Sequence, residues 1–148
     1  MRLTVLGSGA ACPPAGANSS GYLVEDDGQS LLLDCGHGIA SAVLGVRPDF
    51  DIDHIVITHM HADHFIDVIP LRFRVTRDME GIQNRRTQLH LPPGGTDALR
   101  QVMRAISFPD DFCANTFDVR EYDPDTVLQL GALQVRFCLL YTSPSPRD

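Results

Sequence analysis

The chain has 148 residues, 43% hydrophobic and 21% charged, a balance that fits one folded domain with a core and excludes a disordered or collagen-like chain. Twelve basic residues, all arginine, stand against nineteen acidic ones, and the net charge of -7 sets the surface against polyanions except where arginines cluster. No apolar run approaches the roughly 20 residues of a membrane span, Met1 leads directly into a strand-like segment without a signal-peptide pattern, and Cys12, Cys35, Cys113 and Cys138 show no CxxC or disulfide-framework spacing. A reducing, cytoplasmic setting without membrane contact is the expectation.

Leu3 and Val5 alternate with Arg2 and Thr4, which predicts a first strand with one buried face. Gly7-Ser8-Gly9 and then Pro13, Pro14 and Gly16 keep the next stretch irregular. Residues 22–25 and 30–34 flank Asp26-Asp27-Gly28 and read as a hairpin. A short helix is expected over 38–45, and residues 54–58 (HIVIT) form a β-branched run suited to a strand buried on both faces. From Asp63 to about Arg77 the spacing predicts a helix that Pro70 kinks or restarts. A strand over 87–91 follows, then an amphipathic helix carried by Leu99, Val102, Met103 and Ile106 with Thr96 as its cap. Phe117 and Val119, residues 127–130, and Leu133, Val135 and Phe137 supply further strands. Strands and helices interleave without repeat or linker, so the class is α/β or α+β with a mixed sheet.

Residues 138–148 (CLLYTSPSPRD) break this pattern and resemble the in-frame translation of a sequencing-library adapter. The expectation is an unfolded artefact after Phe137, with the net charge unchanged because one Arg and one Asp leave together.

The chemistry concentrates in Thr58-His59-Met60-His61-Ala62-Asp63-His64, an HxHxDH array between a buried strand and a helix start. Imidazole nitrogen and carboxylate oxygen suit zinc, and also manganese or iron. His59 and His61 can turn to one centre while Asp63 and His64 face a neighbouring one, which points to two cations. Such a pair can hold a bridging hydroxide and polarise a phosphoryl or acyl oxygen, and Asp63 can orient that nucleophile as well as bind.

With Gly7-Ser8-Gly9, Asn18-Ser19-Ser20, the Leu33-Asp34-Cys35-Gly36 turn, the Ile57-Thr58-His59 lead-in and the HxHxDH array in this order, the sequence resembles the metallo-β-lactamase-fold hydrolase superfamily, and within it the short ribonuclease Z-like group. The likeness spans Met1 to Phe137. It implies an αββα sandwich with mixed sheets, of which residues 1–137 are about the N-terminal half. It further implies that His59 and His61 bind the first metal and Asp63 and His64 the second, with Asp34 as a buried support of the metal-bearing loop. The remaining ligands, two histidines and a bridging aspartate, are expected beyond Phe137. His54 starts a strand and His90 sits within one, and each is expected to be a packed or surface residue rather than a ligand; His37 lies near enough to the turn to stay open.

These readings imply a zinc-dependent hydrolase using a bridging hydroxide on a small-molecule phosphodiester or related ester, with the fragment itself inactive. A tRNA 3′-processing endoribonuclease is the rival. Ala15 and Ala17 stand where that group carries the cations of a tRNA-binding loop, which weakens an RNA partner. Arg72, Arg74, Arg77, Arg85, Arg86, Arg100 and Arg104 could restore a basic face. A non-catalytic metal-binding protein of the same fold is the third reading, and a homodimer is compatible with all three.

Overall fold

The computed structural model describes residues 1–78 and 86–138, with backbone alone for 75–78. A six-stranded sheet runs in sequence order: β1 (Arg2–Gly7), β2 (Gly21–Asp26), β3 (Gln29–Leu33), β4 (His54–Val56), β5 (Gln88–Leu91) and β6 (Asp118–Glu121). The first three strands pair antiparallel and β3 to β6 pair parallel, giving the mixed α/β architecture expected. Four helices connect the parallel part: α1 (Ile39–Val46), α2 (Ala62–Phe65), α3 (Val68–Asp78) and α4 (Gly95–Ala105). A two-stranded sheet, β7 (Leu128–Leu130) and β8 (Leu133–Val135), closes the described chain. Residues 139–148, most of the expected artefact, lie outside the described residues; Cys138 is exposed.

Local chemistry accounts for several boundaries. Asp26 pairs with Gln29 across Asp27 and Gly28, both at positive φ (44° and 74°), the backbone that a two-residue hairpin demands and that Asp-Gly supplies. Residues 54–57 are buried throughout because β4 is a central parallel strand covered on both sides. On the helix-bearing face, Leu23, Leu32, Ile55, Ile57 and Leu89 pack with Ile39, Val43, Phe65, Leu71, Leu99 and Met103. On the opposite face, Leu31, Val56 and Tyr122 pack with Leu130 and Leu133 of the β7–β8 hairpin.

Three expectations change. Leu3 and Val5, predicted to be the buried side of β1, are 61% and 59% exposed. They share the face of Val24 and Leu31, but among the described residues the hairpin packs on the middle of the sheet and leaves this edge strand uncovered. The helix expected from Asp63 is two helices, and the break at Ile66–Asp67 precedes Pro70. The Asp67 amide donates to the Cys35 carbonyl (3.0 Å) instead of continuing the α2 ladder. Thr96 is not a side-chain cap: the amides of Gly94 and Thr96 both donate to the Glu121 carboxylate (3.0 and 2.9 Å), so β6 caps α4 from outside.

Candidate metal centre

The parallel strands deliver the candidate side chains to one edge. Asp34 follows the last residue of β3, and Thr58 and His59 follow the end of β4, so the cluster lies at the carboxyl ends of adjacent strands, the usual ligand edge of a parallel sheet. Backbone bonds then weave three segments together. The Asp34 amide donates to the Val56 carbonyl (2.9 Å), Cys35 to His64 (2.7 Å), Gly36 to Ser20 (3.0 Å) and Ser19 to His37 (3.0 Å). The Asp67 carboxylate accepts from the Ala40 amide (3.0 Å), joining the start of α1 to the residue after the turn.

Asp34 is the hub. It is 4% exposed and sits at φ 59°, a left-handed conformation that aspartate tolerates better than most residues. One carboxylate oxygen accepts from the Thr58 amide (2.8 Å) and hydroxyl (2.9 Å), and the other accepts from the Ser20 hydroxyl (3.1 Å) and meets His64 Nδ1 at 2.6 Å. An imidazole held by carboxylate at Nδ1 presents Nε2 outward. In His64 that atom lies 3.4 Å from Asp63 Oδ2. This is close to the edge of a tetrahedron whose ligands stand about 2.0–2.1 Å from a zinc ion.

His59 Nδ1 lies 3.0 Å from the Thr58 hydroxyl, which leaves its other nitrogen facing the cluster. Its ring centroid is 3.9 Å from that of His64 and 4.7 Å from that of exposed His61. Partial burial, followed by the neighbouring His64 and His61, lowers the His59 pKa and favours the neutral imidazole that can ligate. Among the described residues, no three donors converge on one point as the side chains stand. The donor chemistry nevertheless suits a divalent cation: two imidazoles and a carboxylate crowd together around a buried, fully hydrogen-bonded Asp34.

The structure thus brings together His59, His61, Asp63, His64 and Asp34. It does not bring in His37, whose exposed side chain makes no described contact with the turn. His54 and His90 are buried on β4 and β5 and face each other, Nδ1 to Nε2, at 3.4 Å. Sequence reasoning passed over Asp67 and Tyr122. The Tyr122 hydroxyl donates to the carbonyls of Ile57 (3.2 Å) and Thr58 (3.0 Å), anchoring the lead-in to the turn, and its ring stacks on Phe137 at 3.8 Å. Neither residue carries a local motif that would single it out. The described arginines of the suspected basic face bind the protein itself: Arg72 donates to Phe112 O, Arg74 to Pro48 O and Arg86 to Asn115 O (3.1 Å each), while Arg100 pairs with Asp97 and Arg104 with Asp110. Arg85 and the Arg77 side chain lie outside the described residues.

Residues 1–141 match the family described as Anti-Pycsar protein Apyc1. The chain belongs to this family. Its relatives include a probable metallo-hydrolase, YhfI, of Bacillus subtilis, 40% identical over 137 residues, which span 93% of this chain and 53% of that protein. A ribonuclease Z of Haloferax volcanii is 32% identical over 120 residues, 81% of this chain and 37% of that one. Among solved structures, the metallo-β-lactamase fold protein YhfI from Bacillus subtilis superimposes with a TM-score of 0.70 at 26% identity, covering 87% of this chain and 49% of its own. The short form of human tRNase Z gives 0.62 at 27% identity, covering 82% and 45%. The family member described here therefore has the metallo-β-lactamase fold, and it spans about half or less of the length of the relatives it matches.

Proposed function

We propose that the chain is the N-terminal, metal-binding part of a metal-dependent hydrolase acting on phosphodiesters or related esters. His59 and His61 serve one cation and Asp63 and His64 a second, and zinc is the metal that the donor set suits best. The observation that carries the reading is the Asp34–His64 contact at 2.6 Å, which leaves His64 Nε2 beside Asp63 Oδ2, 3.4 Å away. The relatives named ribonuclease Z and metallo-hydrolase support a hydrolase, and the ligands still needed are assigned to the half that those relatives have in addition.

When bound, the cations supply an ionised water at neutral pH and polarise the scissile phosphoryl or acyl group. The chain's own residues do the rest. Asp34 fixes the His64 ring and, through Thr58, the backbone that carries His59. In this reading the Asp63 carboxylate binds the second cation and orients the attacking water. Tyr122 holds the Ile57 and Thr58 carbonyls so that the turn keeps its height above the sheet.

The test uses the full coding sequence, purified without chelator. Elemental analysis is expected to find about two divalent cations per chain, and His61→Ala is expected to lower turnover of a bis-aryl phosphate diester on the order of a thousandfold or more. A wild-type protein without bound cation, or a His61→Ala variant with unchanged turnover, overturns the reading. Cleavage of a tRNA 3′ trailer far faster than the small diester would instead select the RNA-processing reading that the ribonuclease Z relatives favour.

A further inference from the structure

The Ser19 side chain is fully buried, and its hydroxyl has no hydrogen-bond partner. An orphaned buried hydroxyl costs about 1–3 kcal/mol, so packing alone would favour alanine here. The backbone around it is pinned: the Ser19 amide donates to His37 and the Ser20 carbonyl accepts from Gly36. Ser19 is therefore held against Gly36. A Cβ built on Gly36 would stand 2.9 Å from Ser19 Cβ and 1.8 Å from the carbonyl oxygen of Asp63. The Asp67 amide, which would reach that carbonyl in a continuing helix, goes to Cys35, and the Ile66 amide goes to Ala62. The orphaned Ser19 hydroxyl and the Asp63 carbonyl thus lie on either side of Gly36, and only glycine lets the two backbones come this close.

We propose that Ser19 is a positioning residue for the metal-bearing turn: its hydroxyl donates to the Asp63 main-chain carbonyl after a small shift of the turn. The bond fixes the backbone from which the Asp63 and His64 side chains project. Partners of this sort, one step behind the ligands, commonly govern metal affinity. The inference rests on the reading of Asp63 and His64 as ligands.

The experiment compares wild type, Ser19→Ala and Ser19→Thr of the full-length protein by zinc competition against a chromophoric chelator and by thermal unfolding of the metal-free forms. Ser19→Ala is expected to weaken zinc binding about tenfold or more without raising the metal-free midpoint, and Ser19→Thr, which keeps the hydroxyl, to stay near wild type. A Ser19→Ala variant with wild-type zinc affinity, or one that only gains thermal stability as removal of an idle hydroxyl would predict, overturns the inference. Should Ser19→Thr not fold, the alanine comparison decides alone. Wild-type protein that binds no zinc removes this inference together with the metal reading, whereas zinc-binding protein indifferent to Ser19→Ala removes this inference only.

Discussion

Two groups of histidines sit on the same sheet and behave differently. His59 and His64 stand at the carboxyl ends of the strands with Asp34 and Asp63 beside them, whereas His54 and His90 lie within β4 and β5, buried against each other. Burial, followed by the facing His54 and then Arg120, drives the His90 pKa down to about 4, with Asp118 opposing. The contrast teaches that histidine count says little without the carboxylate inventory. A ring braced by a carboxylate at one nitrogen has the other aimed outward, while His90, buried against another ring, is held neutral.

The largest effect that would break this comparison is at the hub. Asp34→Ala removes the acceptor of Ser20, Thr58 and His64 at once and is expected to lower metal affinity about 10–100-fold, read by chelator competition. His90→Gln should leave that affinity unchanged. Equal losses in the two variants would erase the distinction between the groups. Next comes Gly36→Ala, whose new Cβ would meet the Asp63 carbonyl oxygen at 1.8 Å, backbone against side chain with nowhere to yield. The expected cost is about 1–3 kcal/mol in chemical denaturation, and a variant as stable as wild type would show that the turn is not seated there.

The buried pair makes a pH prediction. His90 holds its proton more weakly folded (about 4) than unfolded (about 6.5), so its contribution is present above pH 6.5 and is lost as the pH falls towards 4. His90→Gln should flatten that acid limb by on the order of 1 kcal/mol, as read from denaturant midpoints at successive pH values. Parallel profiles for the two proteins would contradict the depressed pKa. The smallest effect is expected at the α4 cap. Glu121→Gln keeps the acceptor but loses the charge at the α4 N-terminus, costing about 0.3–1 kcal/mol, and an unchanged thermal midpoint would argue that the two amide bonds suffice.

What could be read in the sequence was what neighbours in sequence decide. The Asp27-Gly28 turn, the apolar run of β4 and the crowding of His59, His61, Asp63 and His64 all follow from residues within a few positions of each other. What could not be read needed a partner from afar. The α2–α3 break depends on the Cys35 carbonyl, the α4 cap on Glu121, and the exposure of Leu3 and Val5 on where the β7–β8 hairpin comes to rest. Asp34 was legible only as a companion of the motif; its contacts to Ser20, Thr58 and His64 came from the fold.

The left-handed backbone at Asp34 narrows what evolution can place there. Glycine fits the torsion but brings no acceptor, glutamate brings a carboxylate at the wrong reach, and β-branched residues fit neither. A library randomised at this codon and selected for retained zinc should therefore return almost nothing but the parental aspartate, with asparagine as the rare survivor. The spot is a bottleneck where torsion and charge are chosen together.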